Sequence, residues 1–292
     1  MPLCLGVFHC QGAERKFNWL LVRHVPGARR CVVFFPGDIS DFASGHGPYS
    51  YSLEGLMWVL CCKFPEDTVV LVKSRMMVDH CAIYVNFMLV DGVGNPRPLT
   101  ERRGVEDSAE VELEHPKAVE HLKLLLQSLA GDLGQDLPQS LVLVGFSKGA
   151  SVLNALLRES SEAEFWGRVE SVHFVDAGLL VPGVFPVQDK ELWGLYEVVA
   201  AHFVIWLHAT PRQMKDESRP FIVEEHEAFA QRCQVAGLSL ERRMYAEGEE
   251  PGLDMHFDAL RCFLTSPSDR DGGDQHCGFF HRWKTEAEES ER

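Results

Sequence analysis

Residues Gly145-Phe146-Ser147-Lys148-Gly149 set a serine between two glycines, at the end of the apolar run Leu141-Val142-Leu143-Val144. This is the pattern G-x-S-x-G. It serves acyl transfer when the serine sits on a sharp strand-to-helix turn, where any flanking side chain larger than hydrogen would strike the neighbouring backbones. The sequence after it, Ala150 to Arg158, carries apolar residues at helical spacing. The motif therefore stands in the strand-turn-helix context that the chemistry needs, and Ser147 is the expected nucleophile of an ester or thioester hydrolase working through an acyl-enzyme.

A serine hydroxyl is a weak nucleophile until a base takes its proton, and the base must be oriented by a carboxylate. In α/β-hydrolases the chain order is serine, acid, histidine. His256 is the expected base, because it follows the last expected strand and the loop Glu247-Gly248-Glu249-Glu250-Pro251-Gly252, at the start of the final helix. His208 and His226 read as structural, and His276 and His281 fall in a polar tail. Two acids compete. Asp216 follows the penultimate strand, as the usual hydrolase plan asks, whereas Asp176 leaves its own strand directly. Asp216 is preferred and Asp176 stays open. An oxyanion also needs preorganised N–H donors. The Lys148 amide would supply one, and Gly37, Asp38 or Ile39 the second, where the strand Cys31 to Phe35 breaks into Pro36-Gly37.

Positioning these groups requires alternating strands and helices, hence a mostly parallel sheet with helices on both faces. Strands are expected at 17–25, 31–35, 68–73, 140–145, 171–176, 202–208 and 238–244, and helices at about 52–63, 115–130, 148–159, 187–200, 218–236 and 255–264. Several strands are continuous apolar runs, as strands buried on both faces should be. One α/β-hydrolase-like domain is expected over 1–264, with 91–114 as an insertion or lid-forming loop and 265–292 as a flexible polar tail.

The 292 residues, 46% hydrophobic and 24% charged, suit a soluble globular protein. No apolar stretch approaches the roughly 20 residues of a membrane span. A net charge of −15 would repel a phosphate backbone, which argues against nucleic acid as a partner. Nine cysteines without a C-x-x-C pair suit reduced thiols and an intracellular, cytoplasmic setting. Neither H-E-x-x-H nor a Cys/His finger occurs, so no metal or other cofactor is expected. Residues 1–31 hold five basic side chains against Glu14 alone, partly like a mitochondrial transit peptide. The segment is poor in serine and contains the strand-like Phe17-Asn18-Trp19-Leu20-Leu21-Val22, so an early strand with basic flanks is the preferred reading.

Several phrases together resemble one family. They are Phe35-Pro36-Gly37-Asp38, Gly145-Phe146-Ser147-Lys148-Gly149 with Val152-Leu153-Asn154 and Leu157, and Phe174-Val175-Asp176-Ala177-Gly178. His208-Ala209-Thr210-Pro211-Arg212-Gln213, with Asp216 and Glu225-His226, completes the set. The chain is similar in these to the family typified by the product of a human chromosome 2 open reading frame, over roughly 31–264. The resemblance implies a serine-hydrolase-like α/β fold and, for the animal members, an association with mitochondria. Two functions follow as expectations. One is a cofactor-independent serine hydrolase acting on a small-molecule or acyl substrate; the other is a hydrolase-fold protein that binds or scaffolds a protein partner without catalysis.

Overall fold

The fold is that of a computed structural model, which describes residues 4–43, 51–97, 116–177, 181–185, 189–263 and 265. Its strands are β1 (Cys4–Gln11), β2 (Phe17–His24), β3 (Arg30–Phe35), β4 (Thr68–Val72), β5 (Met76–Val78), β6 (Cys81–Ile83), β7 (Ser140–Phe146), β8 (Val169–Val175), β9 (Val204–Ala209) and β10 (Leu240–Met244). Its α-helices are α1 (Leu53–Lys63), α2 (Ala118–Leu133), α3 (Ala150–Leu157), α4 (Ala163–Trp166), α5 (Asp189–Val198), α6 (Pro211–Met214), α7 (Phe221–Ala236) and α8 (Leu253–Cys262). Eight strands form one sheet in the order β1-β2-β4-β3-β7-β8-β9-β10. From β4 to β10 every neighbouring pair is parallel, and β2 runs antiparallel to both β1 and β4. This is the α/β-hydrolase arrangement expected from the sequence.

The apolar runs are continuous because both faces of the sheet are covered. In β3, Cys31, Val33 and Phe35 enter one core with α2, α3, α5 and α7, while Val32 and Phe34 enter the other with α1 and α8. β7 divides likewise, with Leu141 and Leu143 on the first face and Val142, Val144 and Phe146 on the second. Each such aliphatic or aromatic side chain stabilises the fold by about 1.5–3 kcal/mol on burial. Local signals agree with the tertiary ones: Ser52 caps α1 by accepting from the Gly55 amide at 3.1 Å, and α2 stops at Gly134, whose φ of 66° suits glycine.

β1, the β5–β6 hairpin and the short helices α4 and α6 go beyond the sequence expectation. β1 is an edge strand that leaves Leu5 and Val7 more than half exposed or at half exposure, so its pattern does not announce a buried face. The β5–β6 hairpin has three residues per strand and turns at Asp79-His80, both with positive φ, without the glycine or asparagine that usually marks such a turn. Within the expected insertion, residues 91–97 form a turn that bridges Val90 to Pro96; 98–114 lie outside the described residues, as does the expected tail apart from Thr265. Cys10, Cys31, Cys61, Cys62, Cys81 and Cys233 are free thiols. Cys262 is disulfide-bonded, which corrects the expectation of a wholly reduced set. No helix among the described residues is long and apolar enough to cross a membrane.

Candidate active site

The turn after β7 is built from close approaches. Ser147 opens a single 3-10 turn, Ser147–Gly149, that leads into α3, and its φ of 53° is a strained value for a side-chain-bearing residue. Such a conformation costs on the order of 1–3 kcal/mol and persists only where packing enforces it. The packing here is backbone on backbone. A β-carbon on Gly149 would come 2.0 Å from the Phe35 carbonyl oxygen, and one on Gly145 2.7 Å from Ala150 Cα. Neither partner can yield without moving a strand or a helix.

Asp176 lies one residue past β8 and is fully buried, with a φ of 41°. The register pairs Phe146 with Val175, so Ser147 and Asp176 leave neighbouring strands at the same level. Asp176 Oδ1 accepts from the Thr210 amide and the Thr210 hydroxyl, each at 2.9 Å. Its Oδ2 stands 2.5 Å from His256 Nδ1. An ionised carboxylate only accepts, so the imidazole donates from Nδ1 and its Nε2 is left as the acceptor. His256 is the fourth residue of α8 and is buried, its ring lying against Phe146, the residue before the serine. No hydrogen bond joins Ser147 Oγ to His256 among the described residues.

The other candidate acid, Asp216, bonds within its own loop, and among the described residues it is Asp176 that pairs with His256. Asp216 accepts from the Ser218 hydroxyl at 2.5 Å and from Arg219 Nε at 2.7 Å, and these bonds hold its carboxyl down at about 2. The chain reaches it only after α6, and its carboxyl bonds within the segment between α6 and α7. Asp176 meets His256 because it emerges directly from its strand.

The loop after β3 supplies the facing wall. A β-carbon on Gly37 would come 2.4 Å from Ser147 Cβ, so only glycine allows this approach. Three bonds from the β5–β6 hairpin and the segment just after it hold the loop. The Tyr84 hydroxyl donates to the Pro36 carbonyl, the Ala82 amide to Asp38 Oδ1, and the Ile39 amide to the His80 carbonyl, each at 2.7 Å. Burial pushes the Tyr84 phenol well above its usual value, so it stays a donor. The Ile39 amide is thus already committed, whereas no described residue accepts from the amides of Gly37 and Asp38. The Lys148 side chain is buried as well, with Nζ 3.1 Å from Asp38 Oδ1 and 3.0 Å from the Val93 carbonyl oxygen.

Sequence reasoning missed Thr210, Tyr84 and the hairpin, which meet the site only through tertiary contacts. His208 and His226 are both buried. His208 is buried between His173, at 3.1 Å, and the Tyr245 hydroxyl, at 2.9 Å, and burial drives its pKa well down. His226 is enclosed in α7. His276 and His281 lie outside the described residues. Among the described residues no group of three or more His, Cys, Asp or Glu side chains is placed to hold a metal ion.

The model of the C2orf69 family matches residues 7–139 and 135–238. The mitochondrial protein C2orf69 homolog of Danio rerio is 27% identical over 263 residues, covering 80% of this chain and 72% of that protein. The mitochondrial protein C2orf69 of Homo sapiens is 24% identical over 304 residues, covering 80% and 74%. Among solved structures, esterase Est22 superposes with a TM-score of 0.52 at 13% identity, over 95% of this chain and 80% of its own. Carboxyl esterase 2 of Tuber melanosporum gives 0.52 at 12% identity, over 97% and 87%. At such identities the likeness concerns the fold.

Proposed function

This chain belongs to the C2orf69 family, and from that premise we propose that it is a serine hydrolase of the esterase or thioesterase kind, with Ser147, His256 and Asp176 as its triad. The observation that carries the reading is the buried Asp176–His256 pair, placed at the sheet edge where Ser147 leaves the adjacent strand.

In the first half-reaction His256 Nε2 takes the proton of Ser147 Oγ as that oxygen bonds to the acyl carbon. Asp176 holds the resulting imidazolium in place. The carbonyl oxygen becomes an oxyanion facing the amides of Lys148 and of Gly37 or Asp38. Collapse of the intermediate expels the alcohol or thiol, which leaves with the proton from His256. Water then repeats the sequence on the acyl-enzyme and releases the acid. The absent Ser147–His256 bond does not tell against this, because such contacts often tighten only once substrate is bound.

The relatives' names support a mitochondrial location for this chain, to be tested by fractionation of cells expressing it. Labelling by a fluorophosphonate probe tests the chemistry. The wild type is expected to label and folded Ser147→Ala not to, because alanine keeps the turn and removes the attacking oxygen. A folded wild type that resists the probe would remove the hydrolase reading and leave a non-catalytic binding or scaffold protein.

A further inference from the structure

Lys148 carries a buried ammonium one residue after Ser147, beside the backbone amide assigned to the oxyanion. The surroundings of that ammonium decide what it does. Nζ lies 3.1 Å from Asp38 Oδ1 and 3.0 Å from the Val93 carbonyl oxygen, and the side chain is 2% exposed. It therefore does not point at solvent or wait as an open anion site. Asp38 Oδ1 also receives the Ala82 amide at 2.7 Å. One carboxylate oxygen thus joins three pieces of chain: the turn after β7, the loop after β3 and strand β6. Val93 adds a fourth, the 91–97 turn.

We propose that Lys148 and Asp38 act as a clasp that sets the position of the oxyanion-binding amides, making both of them positioning residues. The inference rests on the serine-hydrolase reading above and adds to it a role for two side chains. Asp38 is the residue whose own amide, with that of Gly37, faces the proposed oxyanion. Lys148 is the residue whose amide supplies the opposing donor. Joining their side chains fixes the separation of the two amides, because each side chain is rooted on the Cα next to the N–H it controls. An open loop could not do this. Among the described residues, the other hydrogen bonds of the Pro36 to Ile39 segment are with Tyr84, Ala82 and His80 on the hairpin side and with Ser40 within the same loop. The clasp adds a polar tie across to the serine turn, where Gly37 packs against Ser147. The pair is a modest source of net stability, because desolvating the Lys148 ammonium offsets much of its attraction to Asp38, whose side chain is 32% exposed. Geometry is what such a pair can contribute here.

The test is the second-order rate of fluorophosphonate labelling for wild type, Lys148→Met, Asp38→Asn and the double variant, each normalised to the folded fraction from a thermal melt. Misplacing a reacting geometry by about 1 Å can cost on the order of 100-fold, so each single variant is expected to label about 10- to 100-fold more slowly while still folded. Because the two act as one unit, the double variant is expected to lose no more than the worse single one. Hydrolysis of a p-nitrophenyl ester should show the loss in kcat rather than KM. A labelled wild type with unchanged rates in both folded single variants would overturn the clasp and leave the hydrolase reading standing, as would losses that multiply in the double variant. Should Lys148→Met fail to fold, Asp38→Asn and the double variant, which carries no unpaired buried charge, make the same comparison. An unlabelled wild type would overturn both readings together.

Discussion

His256 lies over Phe146 with ring centroids 4.5 Å apart and an interplanar angle of 30°. The residue that ends the strand before the serine is therefore also the floor on which the proposed base rests. Phe146 belongs to the core shared with α1 and α8, so packing on that face sets the position of the imidazole. Phe146→Leu should cost about 1–2 kcal/mol from lost burial. It should also slow probe labelling of the folded protein. Labelling at the wild-type rate would show that Asp176 alone orients the ring.

Exchange of the two aspartates separates their roles. Asp176→Asn is expected to cut labelling by about 10⁴-fold, because an amide can present its NH2 to Nδ1 and so reverse the tautomer that keeps Nε2 an acceptor. Asp216→Asn should label like the wild type, since its partners are Ser218 and Arg219. The opposite ranking would return the acid's role to Asp216.

Glycine replacements part architecture from chemistry. Gly149→Val would drive its side chain into the Phe35 carbonyl, 2.0 Å from the first added carbon, and is expected to cost several kcal/mol in a denaturant titration. Gly37→Ala instead meets the Ser147 side chain, with Oγ 2.9 Å from the added carbon. Its main effect should fall on labelling. If Gly37→Ala melted far lower but labelled normally once folded, the close approach would be structural only.

The buried histidines make stability depend on pH in a stated direction. Burial lowers His173 to about 3 and His226 to about 4, while the unfolded chain titrates them near 6.5. Below about pH 6.5 the unfolded state binds protons that the native state refuses, so stability rises with pH through this window and is lost as pH falls toward 4. The slope is about 1.4 kcal/mol per pH unit for each such histidine. His226 Nε2 has no hydrogen-bond partner among the described residues, so His226→Leu removes a titrating group without breaking a bond from that atom. Urea denaturation at pH 7, 6 and 5 should give a shallower decline for this variant. Parallel declines would exclude His226 from the effect.

The legible part of this protein was written locally. Continuous apolar runs marked β3, β4, β7, β8 and β9 because parallel strands are covered on both faces, and the paired glycines marked the turn because backbone collides there with anything larger. The order serine, acid, histidine pointed to His256, which pairs with the carboxylate of Asp176. The choice between Asp176 and Asp216 was not local: both follow strands that end at the same edge, and only the path of the chain after each strand decides which carboxylate meets the imidazole. The β5–β6 hairpin left no glycine in its turn to betray it, and its service to the Pro36 to Ile39 loop is a contact between segments some 40 residues apart. The buried Lys148 could not be read either, because a lysine after a serine is ordinarily a solvated side chain. It is buried here since Asp38 and Val93, distant in sequence, arrive at its ammonium only when the sheet has formed. Backbone sterics act within a few residues and so can be read in order, whereas the pairing of charges across strands is settled by tertiary packing.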